Sequence, residues 1–447
     1  MRFGPFFILW LLLAGCASPE PPQGLLGAYR LNSGETVSIS RSAESTLRYR
    51  IFETGSSGRL YPESALKFVS GPGFAQKEPV VLTVEFENDE TGTAQSLRWM
   101  GQDKAATTGV RVGRERNFRF DSDGARLFGR LQLPERSPPY PAVVLVHGSG
   151  DSPGTEWFYN SDFFVANGIA ALTYDKRGTG RSEGEFTFDF EQLARDAIAA
   201  VGVLLDEPDI AADRIGLSGY SQGAWVAPLA ASMSDSIRFV IVNYGMIESP
   251  AEEARLEMIQ LLVDAEVGDS DLAQADQLIR AAVNLVANEF ESGWPEFDAL
   301  KEKYADAPWL APLRNTPVGQ LVSYPKFLVK LLARSRLPNG LPWHYDSTEV
   351  LEASDTPMVW LLAAADRSAP NEQTIAKLEA MKQSGKPFDL VVFPNAGHGM
   401  ITFAESDRGR RVTGYAPGYF KAEVNAVWRL SEGRSPSRNV GNESLDR

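Results

Sequence analysis

Residues 216–225 read GLSGYSQGAW, and two serines stand three positions apart in that stretch. Only one of them has neighbours that allow a sharp turn. Gly219-Tyr220-Ser221-Gln222-Gly223 fits G-x-S-x-G, after an apolar strand pattern and before a helical one. So tight a turn strains the central residue and leaves no space for side chains two before and two after it, so both must be glycine. Around Ser218 the same positions hold Gly216 and Tyr220, and a tyrosine does not fit. The helix that opens after Ser221 points its free amides and positive dipole end at the reacting position. Ser221 is therefore the expected nucleophile.

A serine hydroxyl needs a base, and the base needs a carboxylate to orient it. The chain has three histidines, His147, His344 and His398. In a strand-turn-helix scaffold of this kind the order is Ser, acid, His, with the histidine on a loop after the last strand. His398, in FPNAGHGM directly after the apolar run FDLVVF, meets that condition. The acid should follow the preceding strand, and PMVWLLAAADRSAP puts Asp366 there. Its rivals are Glu248, after FVIVNYG, and Asp355, which precedes its strand and belongs at the opposite edge of the sheet.

The glycine-rich loop His147-Gly148-Ser149-Gly150-Asp151 follows the strand AVVLVH and can bring backbone N–H groups to a substrate carbonyl oxygen. The Ser149 and Gln222 N–H groups are the expected oxyanion pair. His147, Gly148 and Gly150 are expected to shape the loop, the imidazole by satisfying loop carbonyls. The turn DKRGTGRS, residues 175–182, follows the strand IAALTY; Asp175 and Arg177 are expected to fix loops there without reacting.

From residue 117 onward, apolar strand runs alternate with helical patterns, which implies a mostly parallel sheet covered on both faces. Asp189 with Gln192 three residues later marks one helix start, and Leu193, Ala197, Val201 and Leu204 form its buried stripe. After Tyr244 the strand pattern stops and helical pattern takes over up to about residue 346, opening at Ser249-Pro250-Ala251-Glu252 with Leu256, Ile259, Leu262 and Val263 as the stripe. Trp294, Trp309 and Trp343 of this insertion are either its own core or the lining of a hydrophobic pocket over the site. Ahead of all this, residues 27–115 show short alternating runs split by turn clusters such as GSSG and NDETG, an antiparallel β-domain suited to packing or to contact with a partner or substrate.

The motifs HGSG, DKRGTGRS, GYSQGA, DRSAP and NAGHG occur in one order over residues 117–430, and the sequence resembles an α/β-hydrolase-fold serine hydrolase. Ala224 departs from the further glycine that many members carry there. The resemblance implies an α/β-hydrolase core in two parts, 116–244 and 346–430, interrupted by a helical cap at 245–345 that is similar to the lids of esterases, lipases and some aminopeptidases. It does not reach the β-domain.

The N-terminus, MRFGPFFILWLLLAGC, has one arginine, an apolar run too short for the ~20 residues of a bilayer span, and small residues ending at Cys16. Residues 1–15 read as a signal peptide. Leu13-Ala14-Gly15-Cys16 looks like a bacterial lipobox, which implies acylation of Cys16, the chain's one cysteine. Residues 16–26 would be a Pro-rich linker and 431–447 a disordered tail. Ala17 is compatible with outer-membrane sorting, so the expected place is the cell envelope, on the outer membrane facing the periplasm. The formal charge of −14 argues against nucleic acid as a partner. No cofactor or metal is expected.

The expected activity is hydrolysis of a carboxylic ester through an acyl-enzyme. Two alternatives stand beside it. One is an aminopeptidase-like serine peptidase whose acidic cap residues Glu248, Glu252 and Glu253 hold an amine; the other is a non-catalytic envelope lipoprotein that binds a partner.

Overall fold

The computed structural model describes residues 23–42, 46–102, 105–332, 337–405 and 409–433. Cys16, the expected signal peptide and residues 434–447 of the expected tail lie outside them.

The antiparallel β-domain is a closed barrel of eight strands: β1 (Gly27–Leu31), β2 (Thr36–Arg41), β3 (Leu47–Ile51), β4 (Ser57–Pro62), β5 (Lys67–Ser70), β6 (Leu82–Asn88), β7 (Ala94–Gly101) and β8 (Thr107–Arg111). Alternate residues of each strand point inward, and Tyr29, Leu31, Val37, Ile39, Val84 and Leu97 fill the interior. Leu25 and Leu26, expected in the linker, are also buried in this core. Arg111 closes the seam by donating to the carbonyls of Leu26 (2.7 Å) and Ala94 (2.6 Å).

The second unit is an eight-stranded sheet in the order β16-β15-β14-β13-β11-β12-β10-β9. Its strands are β9 (Arg114–Ser122), β10 (Ala125–Leu133), β11 (Tyr140–Val146), β12 (Ala170–Tyr174), β13 (Ile210–Tyr220), β14 (Val240–Asn243), β15 (Met358–Ala363) and β16 (Phe388–Phe393). β11 to β16 run parallel, while β10 is antiparallel to both its neighbours. This is the mostly parallel sheet expected from the alternating pattern and the α/β-hydrolase architecture that the resemblance implies. One face is covered by α3 (Phe190–Leu205), α4 (Gly223–Met233) and α12 (Glu372–Gln383), the other by α2 (Asn160–Ala166) and α13 (Tyr419–Ser431). Asp189 caps α3 by accepting the Gln192 N–H at 3.0 Å, and Leu193, Ala197, Val201 and Leu204 are buried as the stripe requires. Between β11 and β12 the short α1 (Gly154–Trp157) precedes α2. At the C-terminus α13 runs through Ser431, into the expected tail.

The insertion is helical: α5 (Pro250–Asp264), α6 (Asp269–Ala287), α7 (Trp294–Lys303), α8 (Leu310–Leu313), α9 (Pro317–Ser323) and α10 (Lys326–Leu332), before α11 (Thr348–Ala353) leads into β15. Trp294 and Trp309 are buried in the cap's own core with Phe290, Phe297 and Tyr304, and Trp343 packs against the core of the sheet domain. The stripe read for α5 holds in part, with Leu262 buried in the cap core and Ile259 packed against it. Glu253, Arg255, Met258 and Leu262 are its buried residues, and Val263 is 47% exposed, because the helix faces the active-site edge as well as the cap core.

The barrel seats on the sheet domain beside the loop after β11. Arg50 stacks over the Tyr159 ring at 3.6 Å and donates to the Tyr415 hydroxyl at 2.8 Å, while the Ser38 hydroxyl donates to Asp162 at 2.6 Å.

Candidate active site

β11 lies between β12 and β13, so successive crossovers leave it in opposite directions and a crevice opens at the carboxyl ends of β11 and β13. Ser221 stands at the end of β13 with φ +54°, in the left-handed region that a serine adopts only under constraint. The flanking glycines are required by contact. A Cβ on Gly219 would meet the Gly223 carbonyl oxygen at 2.3 Å, and one on Gly223 would meet the Val146 oxygen at 2.8 Å. Ala224 is accommodated from the other side: a Cβ on Gly245 would lie 2.1 Å from the Ala224 methyl, so Gly245 supplies the missing space. Ser218 is buried in the strand and accepts from Asn243.

After β16 a small sheet of β17 (Ala396–Gly397), β18 (Ile401–Ala404) and β19 (Arg411–Tyr415) carries His398 over the crevice. His398 Nε2 lies 3.1 Å from Ser221 Oγ, and its Nδ1 lies 2.9 Å from Asp366 Oδ2. The other Asp366 oxygen accepts the Ser368 and Ala369 N–H groups at 3.0 and 2.9 Å, which fixes the carboxylate at the end of β15. Burial pulls the His398 pKa down, but the adjacent Asp366 charge and hydrogen bond outweigh it and leave the pKa above the usual histidine value. Residues 221, 366 and 398, singled out on sequence, thus come together. The rivals do not: Asp355 is 99% exposed at the other edge, and Glu248 is buried against Lys377 and Thr374.

Gly148 sits directly against the nucleophile, and a Cβ there would be 3.4 Å from the Ser221 Cβ. This holds the Gly148-Ser149 peptide against Ser221. Asp175 is fully buried; its carboxylate accepts the Thr155 N–H and hydroxyl and the Arg181 N–H, tying α1 to the turn after β12. Arg177 clasps the buried Asp196 with two hydrogen bonds. His147 packs edge-on against Tyr174 and Phe158, with its ring beside the Tyr174 carbonyl, and shapes the loop as expected. Burial, with the nearby Lys176 charge, drives its pKa down to about 3.

Sequence reading missed the cavity wall. A cavity of about 200 Å³ beside the loop after β11 is lined by Gly148, Gly150, Trp157, Phe158, Tyr159 and Tyr244. The Tyr244 ring is 5.2 Å from that of His398, so the cavity adjoins the reacting groups. The aromatic run Trp157-Phe158-Tyr159 was a signal available in the sequence. The acidic residues of the cap also sort differently from expectation: Glu248 pairs with Lys377, Glu252 with Arg255, and Glu253 alone of the three is buried with no ion pair among the described residues. Burial pushes the Glu253 pKa up to about 7, against the favourable field of His398.

The chain belongs to the Alpha/beta hydrolase family, whose profile matches residues 143–412. It is 26% identical over 267 residues to the thiohydrolase aneE of Aspergillus aculeatus, a match that spans 58% of this chain and 79% of that one. It is 32% identical over 187 residues to the esterase EstD of Thermotoga maritima, across 39% of this chain and 44% of the relative. Among solved structures, the acylaminoacyl peptidase of Pyrococcus horikoshii overlays with 16% identity and a TM-score of 0.43, covering 91% of this chain and 57% of that one.

Proposed function

We propose that this hydrolase cleaves carboxylic esters through an acyl-enzyme formed on Ser221. The observation that carries the reading is the continuous 3.1 and 2.9 Å relay from Ser221 through His398 to Asp366. Ser221 Oγ attacks the ester carbonyl carbon while His398 Nε2 takes its proton. Asp366 holds the imidazole in the tautomer that leaves Nε2 free to accept and stabilises the imidazolium that forms. The Ser149 and Gln222 N–H groups donate to the tetrahedral oxyanion, each worth about 3 kcal/mol by precedent. His398 then protonates the leaving alcohol, and a water activated by the same histidine releases the acid. The aromatic cavity suits an apolar acyl or alcohol part. The family and the esterase and thiohydrolase relatives support the hydrolytic class. A fluorophosphonate should label the purified protein, and Ser221→Ala should abolish both labelling and turnover of chromogenic esters; unlabelled folded protein would favour the partner-binding alternative.

A second reading is a peptidase that takes a free amine, and the observation favouring it is Glu253, buried near His398 with no ion pair among the described residues. Aminoacyl amides compared with neutral esters test it: Glu253→Gln should raise KM for the former by about tenfold and leave the latter unchanged if this reading holds. We further propose that Cys16 is acylated and tethers the enzyme to the bacterial envelope, at the outer membrane. Incorporation of labelled fatty acid that disappears in Cys16→Ser is the test.

A further inference from the structure

Lys176 has no part in the relay above, yet it is 1% exposed. Its ammonium donates to the Gly148 carbonyl oxygen at 2.9 Å. The rest of its surroundings are apolar, with the Phe186 and Phe188 rings at 4.9 and 5.8 Å. No carboxylate among the described residues is ion-paired with it. Asp151 attracts it from a distance, and His147, the other titratable group beside it, is held neutral. An ammonium taken out of water without a counter-ion is costly and is kept only where its hydrogen bonds matter.

The partner it has chosen is informative. A peptide unit is planar and trans, so its C=O and N–H point in opposite directions and turn together. The carbonyl of Gly148 and the N–H of Ser149 belong to one such unit, and this unit abuts Ser221. We propose that Lys176 is a positioning residue for the oxyanion hole: by holding the Gly148 carbonyl from behind, it aims the Ser149 N–H at the substrate oxygen and polarises it. The inference rests on the reading of Ser149 as an oxyanion donor. It makes the ammonium a fixed positive charge one peptide away from the developing negative one. In the ground state the ester carbonyl carries little charge, so the effect belongs to the transition state.

The experiment compares purified wild type with Lys176→Met and Lys176→Gln on a chromogenic ester and on a fluorophosphonate, with circular dichroism and thermal melts as controls for folding. The expected result for Lys176→Met is a loss of about tenfold or more in kcat with KM within about twofold, and a parallel slowing of labelling. Lys176→Gln keeps a neutral donor and should fall between. Burial lowers the Lys176 pKa to about 7, so wild-type kcat should fall on the alkaline side as the ammonium is lost, and this limb should vanish in both variants. A folded Lys176→Met with wild-type kcat, or one in which the loss lies in KM, overturns the proposal. If neither variant folds, the wild-type profile decides: a kcat that stays level from about pH 7 to about pH 9 overturns it. Wild type that no fluorophosphonate labels removes the Ser221 reading and this inference with it, whereas labelling at equal rates in wild type and variant removes this inference alone.

Discussion

The imidazole of His398 and the hydroxyl of Ser221 stand 3.1 Å apart although 177 residues separate them in the chain. Both sit at the carboxyl edge of one sheet, Ser221 on the turn after β13 and His398 on the loop after β16, with β14 and β15 between their strands. Removing either group should remove the chemistry without unfolding the protein. Ser221→Ala and His398→Ala are expected to lower kcat by about 10⁴-fold or more, with urea midpoints near wild type; the readout is ester turnover beside equilibrium unfolding.

Asp366 should set the acidic limb of the pH profile. Its charge favours imidazolium and raises the His398 pKa above the ordinary 6.5, whereas catalysis needs the neutral ring. Wild-type kcat/KM should therefore reach half its maximum above pH 6.5. In Asp366→Asn the Asp366 charge is lost and burial is opposed by the weaker field of Glu253, so the limb should move to lower pH while the plateau drops by about 10⁴-fold.

A second buried carboxyl should show in stability instead. Glu423 on α13 is 2% exposed and accepts from the Tyr220 hydroxyl at 2.9 Å and the Asn160 amide at 2.8 Å, with no ion pair among the described residues. Burial raises its pKa from 4.5 to about 7. A raised folded-state pKa contributes stability that is fully present below 4.5 and is lost as pH rises through 7. The stability advantage of wild type over Glu423→Gln should accordingly shrink by about 3 kcal/mol across that window, followed by urea unfolding at several pH values.

Arg50 should matter to both units of the molecule. It joins the barrel to the Tyr159 ring and the Tyr415 hydroxyl, and Tyr159 also lines the cavity at the site. Arg50→Ala is expected to destabilise the protein by about 2–3 kcal/mol and to raise KM for esters several-fold, about threefold to tenfold. Unchanged KM in a destabilised variant would make the barrel a purely structural neighbour.

The parts legible in the sequence are those whose physical requirement is local. Gly219 could be read as obligatory because the clash it avoids is with Gly223 of the same turn, and His398 and Asp366 because reacting groups gather where parallel strands end, whereas the clash that Gly223 avoids is with the Val146 carbonyl at the end of β11. The strand and helix alternation likewise follows from neighbours in the chain, and so does the cap on α3 at Asp189. The tryptophans show the limit. Trp294 and Trp309 were open to either a pocket or a core, because an apolar pattern says that a face is covered and not by what. Trp157, in an aromatic run with no periodic pattern of its own, lines the cavity.

Tertiary structure alone decided which charges are free. Glu248, Glu252 and Glu253 are interchangeable as letters, but Lys377 and Arg255 claim two of them and leave the third buried near the histidine. Lys176 lies in a turn whose neighbours Asp175 and Arg177 read as loop-fixing, and its hold on Gly148 spans 28 residues. Ion pairing, burial and field at a site depend on distances through space. The sequence constrains those distances within a turn of chain and leaves them open across the sheet, where packing brings β11, β13 and the loop after β16 to one edge.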